Sequence, residues 1–278
     1  MSAKSKKHPE FAREFRVAPG SDFRMAQVAP SSTPGIDGKE AANTALARMT
    51  EQLSELQEVL YAENEQRLLV VLQAMDTGGK DGTVRHVFGP LNPQGVRVTN
   101  FKAPSTEELA HDFLWRIHAK VPKKGMIRIF NRSHYEDVLI ARVHDLAPKK
   151  EVDRRYEQIN AFEKYLTENG VEILKFCLHI SKQEQKKRLQ ARLDHPIKQW
   201  KFSSADLAER KLWEPYQRAY EKAISKCSTP WAPWHVIPSD HKWYRNYAVA
   251  GVILETLEGM KLHYPKPVKD LDKIIIED

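Results

Sequence analysis

Apolar residues recur along this chain with two periods, and the alternation between them divides it into strands and helices. Residues 39–65 carry Leu46, Met49, Leu53, Leu56 and Leu60 at spacings of three and four, the stripe of an amphipathic helix. That stripe resembles a coiled-coil seam but is short, so packing on the chain's own sheet or on a partner subunit is expected. Residues 68–72, Leu-Leu-Val-Val-Leu, form an unbroken apolar run of the length of a buried strand. A helix is predicted over 80–88, stopping near Gly89-Pro90, and residues 96–101 alternate like a strand. Ser105 with Glu108 makes a capping box for a helix to about residue 119. A turn at 122–125 then leads into a third strand at 126–130. Residues 152–168 set Tyr156, Ile159, Phe162 and Leu166 on one side of a helix that Asn169-Gly170 closes. Strands follow at 171–180 and 234–237, and a last helix at 242–262 buries Tyr247, Ala250, Ile253, Leu254 and Leu257. Five short strands separated by helices predict an α/β fold with a parallel sheet covered on both faces.

Between the fourth and fifth strands the pattern becomes strongly basic. Ser181 and Glu184 cap a helix carrying Lys182, Lys186, Lys187, Arg188 and Arg192. A break at Asp194-His195-Pro196 follows, then Lys198-Gln199-Trp200-Lys201-Phe202. Ser203 and Asp206 start a second helix, bent at Pro215, with Trp213, Tyr216, Tyr220 and Ile224. Residues 182–226 therefore read as a helical lid, with Trp200 and Phe202 as its anchors. A solvated charged face is the default for such runs. The density of cations with few acids between favours a polyanion contact.

The two ends are less patterned. Residues 1–38, broken by Pro9, Pro19, Pro30 and Pro34, read as an extended arm that wraps the domain or a neighbouring subunit. Lys4, Lys6 and Lys7 read as a solvated tail, residues 39–262 as one domain, and 263–278 as a surface strap.

Composition narrows the partners. The chain has 278 residues, room for one large α/β domain, and a net charge of +7 that points to a polyanion. Nucleic acid, nucleotide, polyphosphate and an acidic membrane all meet that description. Two cysteines, Cys177 and Cys227, lack metal-type spacing and fit a reduced cytoplasmic setting. No apolar run is long enough to span a bilayer, and no signal peptide is visible.

Chemistry concentrates after the first strand, in Gln73-Ala74-Met75-Asp76-Thr77-Gly78-Gly79-Lys80-Asp81-Gly82-Thr83. A strand that feeds a glycine turn and a helix start gathers unpaired backbone N–H groups at the positive end of a helix dipole. Lys80 adds a point charge that reaches phosphate oxygens. The stretch reads as a phosphate-binding loop, against the plainer reading of a glycine-rich strand-to-helix turn. It departs from G-x-x-x-x-G-K-[ST] at Ala74 and Asp81. The hydroxyl that binds Mg2+ in the standard loop is thus missing, with Asp76 a candidate replacement and Thr83 a weaker one.

The third strand runs directly into Asn131-Arg132-Ser133-His134-Tyr135-Glu136-Asp137. Open α/β sheets place their chemistry at the carboxyl ends of parallel strands. Arg132 offers a fork of donors to a phosphate. Glu136 and Asp137 offer carboxylates for Mg2+ through water, a base or a ribose. Ser133 and Glu136 also fit a capping box for a helix through Val143, and from the residues alone capping is the favoured reading of Glu136.

These three stretches, from Ala74 to Thr83, from Phe130 to Asp137, and the basic lid ending in Trp200-Lys201-Phe202, agree in order and spacing. Together they resemble the polyphosphate kinase 2 family, over roughly residues 40–262. The Asn-Arg-Ser-His-Tyr-Glu-Asp form resembles its class III, whose members phosphorylate AMP and ADP with inorganic polyphosphate. The resemblance implies a P-loop kinase-like three-layer α/β/α sandwich with a five-stranded parallel sheet and a helical lid. It implies a Mg2+-dependent, reversible phosphotransferase, with Mn2+ as a substitute metal, assembled as a homodimer or homotetramer. Asp76, Lys80 and Arg132 would be catalytic, with Asp76 at the metal. Thr77, Gly78, Gly79, Lys80, Asp81, Gly82, Thr83 and Arg85 would hold phosphates, joined from the lid by Arg188, Arg192, Lys198 and Lys201. Asn131, Arg132, Glu136 and Asp137 would face the nucleotide. Partners would be polyphosphate and adenine nucleotides, without nucleic acid or membrane. Other classes carry Asp where this chain has Asn131, and an amide is a poorer Mg2+ ligand than a carboxylate. An ATP-using nucleoside monophosphate kinase and a non-catalytic polyanion-binding protein with a degenerate loop are the competing readings.

Overall fold

The run at 68–72 becomes the central strand of a five-stranded parallel sheet. In this computed structural model, which describes residues 10–269, 271 and 274–276, the strand order is β2-β3-β1-β4-β5. The strands are β1 Arg67–Gln73, β2 Val96–Asn100, β3 Ile127–Asn131, β4 Val171–His179 and β5 Trp234–Pro238. The helices are α1 Phe11–Phe15, α2 Gly38–Glu63, α3 Lys80–Thr83, α4 Thr106–Leu109, α5 Trp115–His118 and α6 Ile140–Val143. They continue as α7 Lys149–Glu168, α8 Lys182–Asp194, α9 Pro196–Gln199, α10 Ser204–Lys211, α11 Trp213–Cys227 and α12 Lys242–Gly259.

The period-two geometry of β1 splits its apolar run between two cores. Leu68, Val70 and Leu72 pack with α2 and α12, including Leu53, Leu60, Ile253 and Leu257. Leu69 and Val71 face the other layer, with Ile159 of α7 and Ala223 and Ile224 of α11. Each fully buried aliphatic side chain contributes roughly 1.5–3 kcal/mol, so the two layers clamp the sheet from both sides. The α2 stripe thus meets its own domain. Among the described residues, no helix is long and apolar enough to cross a membrane.

The amino-terminal arm also packs on its own domain. Phe11, Phe15, Val17, Phe23 and Met25 are buried in these same cores. The first two N–H groups of α1 donate to Glu255 at 2.7 and 2.8 Å. Val17 bonds the Trp234 carbonyl at 2.8 Å, covering the open edge of β5. The arm carries a helical turn and a 3-10 turn where extended chain was expected. Lys4, Lys6 and Lys7 lie outside the described residues, and the described part of the 263–278 strap is exposed.

Four predicted helices are interrupted, each for a local reason. The helix over 80–88 widens to a π turn at Val84–Phe88, where the Gly89 N–H reaches the Val84 carbonyl at 3.0 Å. The helix from 105 splits into α4 and α5, because Asp112 Oδ1 takes the Leu114 N–H at 2.9 Å. The Ser105–Glu108 box still caps α4. After β3, Ser133 Oγ accepts from Tyr135 N–H over a 3-10 turn at His134–Asp137, and also from Gln73 Nε2 at 3.1 Å. It does not form the capping box expected with Glu136. In the lid, Asp206 pairs with Arg192 at 2.7 Å, while Ser203 Oγ caps Ala205. The bend falls at Leu212, between α10 and α11. Pro215 sits in the first turn of α11, where a missing N–H loses no bond.

One polar cluster lies inside the core beneath the site. Lys175 of β4 donates to Glu163 at 2.5 Å, to Tyr135 Oη at 2.8 Å and to the Cys227 carbonyl at 2.7 Å. Tyr135 Oη donates to Glu163 at 2.8 Å, and His134 Nε2 lies 3.2 Å from the same oxygen. Burial works to raise the Glu163 pKa, but Lys175 and His134 outweigh it and hold it below the ordinary value. This cluster pins the two residues that follow Arg132-Ser133.

Candidate active site

Strand order decides where the chemistry meets. β1 lies between β3 and β4, and Leu72 sits in register with Asn131, which in turn faces Asn100 of β2. The segments leaving the carboxyl ends of β1 and β3 are therefore neighbours, as expected at a topological switch point. Two non-glycine residues take left-handed backbone there, Thr77 at φ 62° and Arg132 at φ 63°. Such conformations cost of order 1–3 kcal/mol each and gather at functional sites.

The loop is built tightly. Gly78 donates to the Met75 carbonyl at 2.9 Å, and a Cβ on Gly78 would sit 2.6 Å from that of Ala74. Gly79, at φ 110°, opens α3. Lys80 is buried and its Nζ donates to the Ala74 carbonyl at 2.8 Å, closing the loop on itself. Burial lowers the Lys80 pKa, opposed first by Asp76. Arg132 reaches across from the β3 end to Asp76 Oδ1 at 3.2 Å. Burial pulls the Arg132 pKa down, but Glu136 and Asp76 together raise it above its ordinary value. Asp76, Lys80, Arg132 and Glu136 thus share one electrostatic neighbourhood.

Asn131 and Asp81 form a second pair. Asn131 Nδ2 donates to Asp81 Oδ1 and to Asn100 Oδ1, both at 2.8 Å. The standard loop has a hydroxyl after its lysine and a carboxylate at the end of β3. Here the carboxylate stands after the lysine and the amide at the strand end. Two carboxylates and an amide are hard oxygen donors of the kind Mg2+ accepts while keeping several waters, so the residues fit a divalent cation. Thr83, expected among the phosphate and metal ligands, is fully buried at the end of α3, and its hydroxyl has no hydrogen-bond partner among the described residues.

The lid residues divide. Arg188 uses four of its five N–H donors within the protein, on Glu184, Thr77 O, Ser239 O and Asp240 O. It clamps the lid root to the loop and leaves one donor for an anion. Arg192 bonds Lys201 O and Asp206, bracing the lid tip. Gln185 donates to Asp76 O at 3.0 Å. Lys198, Lys201 and Arg85 are exposed, with Lys201 Nζ 4.9 Å over the Trp200 ring. Trp200 is itself exposed, so it is not the buried lid anchor expected; Trp213 and Tyr216 of α11 take that place.

Residues that the sequence reading did not assign to the site also gather there. Asp206 lies close enough to Asp76 and Arg132 for both to act on its pKa, which burial first and Asp76 next raise. Tyr216 Oη donates to Glu209 of α10 at 2.6 Å within the lid, and His144 Nε2 meets the same oxygen at 2.9 Å and latches the lid to the body. Lys242, with Arg188, Arg245 and Lys198 around it, extends the basic surface. No motif marks these residues, because they meet only through the fold of the lid.

Asp137 is turned toward Arg155, 3.6 Å away, with one carboxylate oxygen buried and unpartnered. Burial raises its pKa to about 6, against the pull of Arg155. The folded carboxyl therefore holds its proton to about pH 6, whereas the unfolded one releases it near 4. Asp137 then opposes folding above pH 6, and the effect vanishes below pH 4. Thermal unfolding of Asp137→Asn should show a gain of on the order of 2 kcal/mol at pH 8 and none below pH 4. A gain that grows on acidification would contradict this environment.

Residues 37–265 match the family model described as polyphosphate kinase 2. The AMP/ADP-polyphosphate phosphotransferase of Meiothermus ruber is 52% identical over 266 residues, 95% of this chain and 100% of that protein. The ADP-polyphosphate phosphotransferase of Rhodopseudomonas palustris is 44% identical, over 91% of this chain and 92% of its own. The crystal structure of polyphosphate kinase 2 from Arthrobacter aurescens superposes with a TM-score of 0.92 at 51% identity, covering 95% of each chain.

Proposed function

The chain belongs to the polyphosphate kinase 2 family, and from that premise we propose that it transfers the terminal phosphoryl group of inorganic polyphosphate to AMP and to ADP. The observation that carries this reading is the full-length match to a relative named for both acceptors. The convergence of Lys80, Arg132, Asp76 and Asp81 supports it, since phosphoryl transfer asks a protein mainly for positioning and charge neutralisation.

In the step, a phosphate oxygen of the acceptor bonds to the terminal phosphorus of polyphosphate. The bridging P–O bond breaks, and the shortened chain leaves with the electron pair. Lys80 and Arg132 stabilise charge on the transferred group, and Asp76 orients Arg132. The lid, latched through Glu209, excludes water. Glu136, close to Lys80 and Arg132, faces the acceptor. Asp76 and Asp81 would hold a divalent cation, Mg2+ by its oxygen donors, which would supply charge neutralisation of the phosphates. A cytoplasmic homo-oligomer completes the reading.

Asp81→Asn should weaken Mn2+ binding, read from free Mn2+ by EPR, by at least about tenfold. Adding Asn131→Asp should restore it, because the carboxylate returns to the strand end. Unchanged binding in the single variant would remove Asp81 from the metal.

The function is tested with AMP, Mg2+ and long-chain polyphosphate, without ATP, by chromatography over time. ADP appearing first and ATP later is expected. ADP formed only when ATP replaces polyphosphate would make the protein a nucleoside monophosphate kinase instead. Tight polyphosphate binding without turnover would make it a binding protein.

A further inference from the structure

Arg245 is left unexplained by the mechanism above. It lies in the first turn of α12 and is 2% exposed. Its Nε and Nη2 donate to the side-chain oxygen of the adjacent Asn246, at 3.2 and 2.8 Å. Among the described residues no carboxylate pairs with it, and the charged groups acting on it and its neighbour Lys242 are mostly further cations. Burial first and Arg188 next lower its pKa to about 10, which leaves it charged at neutral pH.

Apart from the two hydrogen bonds to Asn246, the surroundings disfavour a cation. Burial removes water, the partner is a neutral amide, Arg188 repels it, and the first turn of a helix is the positive end of its dipole. A charge kept where the folded protein gains nothing from it implies a counter-ion that arrives from outside.

The guanidinium lies flat against the phosphate loop. A Cβ on Gly79 would fall on its Nη1, and one on Gly82 would lie 2.9 Å from its Nη2. Gly79 needs its glycine for backbone reasons as well. Gly82 has no left-handed φ, and a side chain there would have to push the Arg245 guanidinium aside. The two glycines, three residues apart, form one flat face at the start of α3.

We propose that Arg245 is a positioning residue for the polyphosphate chain, a fixed cation behind Gly79 and Gly82 whose counter-ion is the phosphate held by the loop. It rests on the polyphosphate reading. Acting through a dry layer of backbone, the charge is screened little by water and stays in place at every turnover.

The test compares wild type with Arg245→Met and Arg245→Lys, by thermal unfolding without ligand and by calorimetric titration of long-chain polyphosphate at several salt concentrations. Arg245→Met should raise the melting temperature of the free protein, weaken polyphosphate binding at least tenfold and flatten its salt dependence by about one counter-ion. KM for polyphosphate should rise while KM for AMP holds, and Arg245→Lys should recover part of the affinity. A melting temperature that falls, a failure to fold, or an unchanged affinity and salt slope would each make Arg245 an ordinary structural residue and overturn the proposal. Wild type that neither binds nor uses polyphosphate would instead overturn the functional reading beneath it.

Discussion

Lys80→Ala removes nearly all turnover with polyphosphate and AMP while the protein stays folded. The loss should be about a thousandfold in kcat, the scale of one deleted charge clamp at a transferring group, about 4 kcal/mol. The reason is placement. Lys80 Nζ is held on the Ala74 carbonyl and shares its surroundings with Asp76, Arg132 and Glu136. No other cation of the loop stands at that point, since Arg188 is engaged by four acceptors and Arg85 is exposed. The fold survives because burial already works against the Lys80 charge, offsetting the lost hydrogen bond. Circular dichroism and a melting curve check the fold, and a single-turnover assay checks the chemistry. Turnover at the wild-type level would sink the assignment of the loop.

Lys175→Met has the reverse profile, a large loss of stability with the loop chemistry untouched in composition. The methionine leaves Glu163 ionised and buried, with His134 and Tyr135 as its remaining partners. Breaking one side of a buried pair costs about 3–5 kcal/mol. Urea denaturation should show that loss. Lys175→Met with Glu163→Leu should recover most of it, because both charges are then gone. Activity in the single variant should fall further than stability explains, since His134 and Tyr135 follow Arg132-Ser133 and fix the strained backbone of Arg132. A single variant as stable as wild type would mean that Glu163 takes up a proton in the folded protein.

The strands were legible along the chain because each is a short apolar run bounded by turns. All five were placed to within a residue or two, and their alternation with helices was enough to call for a parallel sheet. The interrupted helices were not legible in the same way. Asp112, Ser133 and Leu212 end or divide them through bonds and backbone angles that spacing alone does not encode. The capping box at Ser105 held and Ser203 starts its helix as expected, whereas the box at Ser133 did not form. There the acidic partner answers to something distant, Glu136 to Arg132 and Lys80, as Asp206 in the lid answers to Arg192.

By itself, the order of residues determined the glycine-rich loop after β1, the polar run after β3, the basic lid and the family they identify, because each motif is contiguous. Only the tertiary structure decided how those pieces meet. The order β2-β3-β1-β4-β5 sets Asn131 beside Asp81 and carries Arg132 to Asp76. The lid fold turns Arg188 from a free polyanion contact into a clamp on Thr77, and brings Asp206 up to Asp76. Most of all, α12 delivers Arg245, far along the chain, to the back of Gly79 and Gly82. A periodic pattern reports which face of a helix is buried, not what a charge on that face will touch.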